Sequence, residues 1–272
     1  MTLECTVLPV RVEARPVDLL AALGRAGRPW LLESATDPGR LGRHTFLGIA
    51  GAPVLTSTGS DVRLEEEGGK VVRRDDPWDA ARELLARLEH DPPGDAPFPF
   101  RGGLVGWFGY ELARGLERLP GRAPEDLALP RLCLAAATEV LAIDHLEGRA
   151  WVSVLGEGGR ARAAALRDRL EAVPFRPAPE VPALDDLPAA TGWTEPLDRA
   201  EYARRVAETR RRIEEGIAFE VCLTRRLERA WDGDPLALYR ALRRVNPAPF
   251  AAFLGFPEAA VVSSSPERFL RV

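Results

Sequence analysis

Apolar residues recur along this chain with two different periods, and the switches between them mark its predicted elements. Pro16 suits a first helical turn, and residues 17–26 form a short helix candidate with Gly24 and Gly27 near its end. Trp30, Leu31, Leu32, Glu33 and Ser34 follow as a buried strand that closes on a polar pair. Residues 44–50 and 54–58 are further strands, and residues 62–74 read as a hairpin turning at Gly68 and Gly69. Asp76 and Pro77 supply a cap and a first-turn proline for a helix over residues 78–89. Residues 100–110 set glycines among large aromatics, the pattern of a strand that another backbone approaches closely. Their spacing is not that of a phosphate-binding loop. Residues 132–143 and 149–155 form a second hairpin, and residues 160–173 an amphipathic helix.

Composition then shifts. Pro174, Pro177, Pro179, Pro182, Pro188 and Pro196 lie among small and acidic residues, which marks residues 174–196 as a linker. Asp198 and Glu201 open a helix whose apolar stripe is Tyr202, Val206, Thr209, Ile213 and Ile217. Arg210, Arg211 and Arg212 point mostly to its other side, as a solvated basic face. Phe219, Val221 and Leu223 alternate with polar residues and predict a strand. Asp234 and Pro235 start a helix over residues 236–245. Two strands, 250–254 and 259–263, flank a turn at Gly255–Glu258, and Pro266 should end the second at Ser265. Hairpins mixed with helices, without regular βαβ units, predict an α+β fold of two lobes built on antiparallel sheets. The expected division is 1–173 for the first domain, 174–196 for the linker and 197–272 for the second. The second lobe ends on a strand with no closing helix, so it is expected to be truncated.

Composition narrows the partners. A net charge of −4 offers no electrostatic reason for nucleic acid or an anionic membrane. No apolar run reaches the length of a membrane span, and the first residues lack a signal-peptide pattern. Cys5, Cys133 and Cys222 have no metal or redox spacing and read as buried thiols of a reducing compartment. A cytoplasmic location follows. Lys70 is the only lysine, so no other position can supply a lysine nucleophile.

Candidate chemistry is sparse. His44, His90 and His145 lie in separate elements with no carboxylate at ligand spacing. Glu267, placed at a strand end by Pro266, is the one carboxylate with a defined local geometry. If buried, it could be raised from about 4.3 towards neutrality and serve as a general acid. A surface Glu beside a surface Arg is the plainer alternative.

Several stretches, in order, resemble component I of the chorismate-using amino-synthases, anthranilate synthase and aminodeoxychorismate synthase. They are Leu31-Leu32-Glu33-Ser34, Gly42 to Gly48 (R-x-[ST]-F-[IL]-G), Phe100 to Arg114, Glu117 to Pro120, Tyr202 to Arg226, Asn246 to Phe250, and Ser264 to Phe269. Glu220-Val221-Cys222-Leu223-Thr224 is similar to the E-[VL]-C-L-T of aminodeoxychorismate synthases, whereas Leu31 to Ser34 is equally at home in anthranilate synthase. Ile217 and Phe219 depart from the family pattern.

The resemblance implies amination of chorismate at C4, with ammonia from a glutamine amidotransferase partner, in the p-aminobenzoate branch of folate synthesis. Anthranilate synthase component I, in tryptophan synthesis, is the alternative, and an inactive tryptophan- or partner-binding fragment is a third. Glu267 would assist loss of the C4 hydroxyl. Glu33, Ser34, Asn246, Pro247, Pro249 and Phe250 would line a pocket for L-tryptophan between the lobes. A capped turn after a helix is the plain alternative for 246–250. The family's Mg²⁺ carboxylates and its catalytic lysine would lie beyond Val272, with no metal ligand in this chain.

Overall fold

The computed structural model describes residues 2–24, 26–36, 41–91, 97–120, 125–178, 191–195 and 197–271. Two compact units emerge, Met1–Pro179 with Asp234–Val272, and Glu180–Gly233. In chain order the first contains β1 (Cys5–Val10), α1 (Pro16–Ala22), β2 (Arg28–Glu33), β3 (His44–Thr58), β4 (Asp61–Glu66) and β5 (Gly69–Arg74). There follow α2 (Pro77–Ala86), β6 (Gly103–Phe108), β7 (Leu132–Ala137), β8 (Glu139–Asp144), β9 (Arg149–Leu155) and α3 (Gly159–Glu171). The second unit carries α4 (Arg199–Glu214), and the chain then returns to the first for α5 (Pro235–Val245), β10 (Phe250–Gly255) and β11 (Ala260–Ser265). The architecture is α+β, as the sequence predicts.

The strands form one branched sheet in the order β1-β9-β8-β3-β2-β10-β11, all paired antiparallel. The two strands expected over 44–58 are a single long β3. Its first half pairs with β2 and β8, and its second half with β4 and β7, the register slipping between Gly51 and Val54. Glycine allows the tight branch from β7 to β6. A Cβ on Gly106 would lie 1.8 Å from the Cys133 carbonyl oxygen, so the predicted close backbone approach is present.

Strand alternation sends neighbours to opposite sides of the sheet. Leu31 and Phe253 join the core under α1, α3 and α5, whereas Trp30 and Leu254 face the layer containing Val105 and Cys133. A third cluster, Leu55, Val62 and Leu134 with Ala80 and Leu84, seats α2. Asp76 caps that helix, accepting from the N–H groups of Trp78 (2.7 Å) and Asp79 (3.2 Å). Asp234 accepts from Leu236 N–H (3.1 Å) at the start of α5.

Two features differ from the sequence-based expectation. The sheet runs across the expected boundary at 174–196, because β10 pairs onto β2 and β11 onto β10 rather than beginning a separate sheet. Residues 179–190 and 196 of the expected linker lie outside the described residues. Nor do residues 219–224 form a strand: Phe219 is 94% exposed and Val221 48%. A strand is held by ladder hydrogen bonds to a neighbour, and alternation alone supplies none. In the second unit α4 is capped by Asp198, which accepts from Glu201 N–H (2.8 Å). Its Arg211 and Arg212 pair with Glu208 along the helix, the solvated arrangement expected.

Candidate functional site

The polar end of β2 is the focus of the candidate site. Residues 31–33 are held in the sheet by β3 on one side and β10 on the other, with Ala251 opposite Glu33 and Phe46 opposite Leu32. Trp30 and Leu31 are fully buried and fix the strand's depth, so Glu33 is carried inward with it and is only 3% exposed. A buried carboxylate must be paired, and α5 supplies the partners. Arg243 donates through Nε to Glu33 Oε2 (2.7 Å) and through Nη2 to Oε1 (2.5 Å), a bidentate fork. Tyr239, one helical turn earlier, donates its hydroxyl to Oε2 (2.8 Å). Burial first, and then the Glu33 charge, push the Tyr239 hydroxyl far above its ordinary range, so it stays a donor. Burial works against the Arg243 cation, but its bonds to Glu33 prevail and raise its pKa. Arg240 on the same helix pairs with Asp18 of α1, extending this polar layer.

Ser34 is stitched on two sides. Its hydroxyl donates to the His44 carbonyl (2.7 Å), with the Pro249 carbonyl a longer 3.3 Å away. Its N–H donates to Thr45 Oγ1 (3.1 Å), and the next N–H, of Ala35, donates to the Ala248 carbonyl (3.0 Å). Thr45 Oγ1 also lies 2.7 Å from His145 Nε2. His145 stands just past β8, beside Asp144. Burial pushes its pKa down, against the opposing pull of Glu33 and Asp144. Burial alone would raise Asp144, yet hydrogen bonds from Arg43 and from the N–H groups of Glu147 and Leu146 bring it down to about 2.

The structure therefore brings Glu33, Ser34, Pro249 and Phe250 together, where β2 ends beside the start of β10. Asn246 ends α5 and its carbonyl accepts from the Ser264 hydroxyl of β11. Pro247 follows it in the connection to β10. Phe250 pairs in register with Ser265, and its ring lies 5.1 Å beneath the Arg268 guanidinium, a cation–π contact. Glu267 follows directly after β11, which ends at Ser265 as Pro266 requires. Its backbone is pinned by Ser265 Oγ, which accepts from Glu267 N–H (3.3 Å) and donates to Glu267 O (3.0 Å). The Glu267 side chain is exposed. The burial that a raised general acid needs is not supplied by the described residues.

Tyr239, Arg243, Thr45 and His145 escape a reading of the sequence alone. Tyr239 and Arg243 are four apart and share a helix face, which signals a possible joint role, but their partner lies about 200 residues away. Among the described residues no three His, Cys, Asp or Glu side chains converge as a metal-binding group. No helix among the described residues is long and apolar enough to cross a membrane.

A sheet carrying these residues, with helices packed against it, is the frame in which known proteins can be compared. The chorismate binding enzyme family matches residues 31–272, and the chain belongs to that family. It is 37% identical over 268 residues to an aminodeoxychorismate synthase of Streptomyces pristinaespiralis, covering 90% of this chain and 35% of that protein. Identity to anthranilate synthase component 1 of Streptomyces coelicolor is 35% over 286 residues, covering 98% of this chain and 52% of the relative. Aminodeoxychorismate synthase component 1 of Escherichia coli is 30% identical, with 89% and 51% covered. The fold is shared with anthranilate synthase component I from Streptococcus pneumoniae, at a TM-score of 0.56 and 22% identity over 85% of this chain and 51% of that one. The chain thus spans about a third to a half of the length of these relatives.

Proposed function

We propose that this chain serves as part of component I of an aminodeoxychorismate synthase, aminating chorismate at C4 in the cytoplasm. The observation that carries this reading is the placement of three family stretches on consecutive strands. Glu33 and Ser34 close β2, residues 246–250 lead into β10, and Glu267 follows β11. The stretch from Glu220 to Thr224 favours the aminodeoxychorismate branch. In the proposed reaction Glu267 gives its proton to the departing C4 hydroxyl, which leaves as water, and ammonia from a glutamine amidotransferase partner forms the new C–N bond. L-Tryptophan is the proposed ligand beside Ser34 and Phe250, and Mg²⁺ would be the metal of the reaction. Because Glu33 has both oxygens engaged by Arg243 and Tyr239, its part in that pocket is to fix the wall.

The second reading, anthranilate synthase component I, draws on the comparable likeness to the Streptomyces coelicolor protein. Product analysis separates the two. The protein, given chorismate, ammonium and Mg²⁺, is expected to yield 4-amino-4-deoxychorismate. Anthranilate with pyruvate as the product would overturn the assignment. No turnover, combined with calorimetric binding of L-tryptophan, would leave the inactive binding-module reading. Glu267→Gln is expected to slow the amination by roughly 10²–10⁴.

A further inference from the structure

Thr45 is completely buried and its single hydroxyl proton must find an acceptor. Its oxygen already accepts the Ser34 N–H at 3.1 Å, and among the described residues the other group in reach is His145 Nε2 at 2.7 Å. Counting protons fixes the arrangement. If Nε2 carried a hydrogen, it and the Ser34 N–H would both donate to Thr45, leaving the buried hydroxyl proton stranded. With Nε2 bare and the ring proton on Nδ1, Thr45 donates to the imidazole while it accepts from Ser34, and the buried hydroxyl is satisfied.

We propose that His145, acting through Thr45, is a positioning residue for Ser34, and that it holds the end of β2 in place only as the neutral Nδ1–H tautomer. Protonation at Nε2 turns the bond to Thr45 around and strands the buried Thr45 hydroxyl proton, so the side chain turns to find an acceptor and its contact with Ser34 is lost. The same Ser34 then loosens beside the His44 and Pro249 carbonyls that its hydroxyl faces. This inference rests on the pocket reading for what the movement controls, the affinity for an amino-acid ligand at Ser34 and Phe250, but the relay itself does not depend on it.

The charged groups around His145 come from three elements. Glu33 faces it from β2, with its charge shared by Arg243 of α5. Asp144 adjoins it at the end of β8 and is neutralised by Arg43. Arg43 and His44 lie at the start of β3, where the Arg43 carbonyl accepts the His145 N–H at 2.9 Å. The two carboxylates thus each carry an arginine of their own, so neither gives His145 an unshared counter-charge. Burial then decides, and the neutral ring is favoured at neutral pH. The contact is complete above the ordinary histidine range and is lost as pH falls through the lowered value.

The test uses the full protein, labelled for NMR, with the His145 ring nitrogens and the Ser34 amide followed from about pH 8 to about pH 4.5, spanning the ordinary histidine value. The Ser34 amide is expected to move with the same midpoint as His145, whose ring shows the Nδ1–H tautomer above it. A Ser34 amide that stays flat while His145 titrates, or an Nε2–H tautomer at neutral pH, overturns the proposal. Thr45→Val is expected to abolish the Ser34 response and Thr45→Ser to restore it; a response unchanged in Thr45→Val also overturns it. If that variant does not fold, the unmodified titration alone decides. L-Tryptophan calorimetry across the same range is expected to show about tenfold weaker binding below the midpoint, the worth of one hydrogen bond. Failure of tryptophan to bind at any pH removes the pocket reading and leaves the relay to stand or fall on the Ser34 titration.

Discussion

Replacing Arg243 with methionine separates a buried structural ion pair from a loosely held ligand group. Glu33 has a side-chain exposure of 2% and Arg243 of 17%, so both charges are largely removed from water. Arg243→Met keeps most of the side-chain volume and deletes two charge-assisted bonds, leaving the carboxylate with Tyr239 alone. Breaking a buried pair from one side costs about 3–5 kcal/mol. Two hydrogen bonds to a charged group, at roughly 1.5–3 kcal/mol each, give the same range independently. For a unit of this size that corresponds to a fall in melting temperature on the order of 10 °C. Urea unfolding followed by the fluorescence of buried Trp30 and Trp151 measures it. The double variant Glu33→Leu with Arg243→Met removes both charges, and it should recover at least about 2 kcal/mol relative to the sum of the single changes. A single-variant cost below about 1 kcal/mol, or strict additivity in the double variant, would refute the staple.

Two further outcomes test the frame around the site. Gly106→Ala places a Cβ 1.8 Å from the Cys133 carbonyl oxygen, which should cost more than about 4 kcal/mol. Gly68→Ala, which meets nothing within 4 Å, should stay within about 0.5 kcal/mol; equal thermal stability of the two variants would contradict the close β6–β7 approach. Asp144 binds its proton less readily folded than unfolded, so the unfolded chain takes up protons first and stability falls as pH drops from about 3.8 towards about 2. Asp144→Asn should flatten that limb of an acid-unfolding curve and lower stability at neutral pH. An unchanged acid limb would show that Arg43 and the turn N–H groups do not hold the carboxylate ionised.

Much of the local structure is legible in the sequence. Asp76, Asp198 and Asp234 announce helix starts because a short acceptor before a helical run satisfies N–H groups that have no other partner. Pro266 announces the end of β11 because it lacks the donor the ladder needs. The glycines among aromatics near Trp107 announce a close strand approach. The caps and the proline act within a few residues, where sequence spacing equals spatial spacing, and the glycines show the need for a close neighbour without naming it. The family stretches, too, are runs of neighbours, and the order in which they occur was enough to predict the fold.

What joins those runs was decided in three dimensions. Alternation in residues 219–224 has the strand period, yet no ladder partner is built there and the segment stays irregular and exposed. The expected break at 174–196 is bridged because β10 finds its hydrogen-bonding edge on β2, more than 200 residues earlier. The same pairing sets Tyr239 and Arg243 against Glu33, and β3 against β8 sets Thr45 against His145. A strand edge or a buried charge specifies only that a partner must exist. Which distant residue fills that role depends on register and packing depth across the sheet, and these exist only once the strands have met.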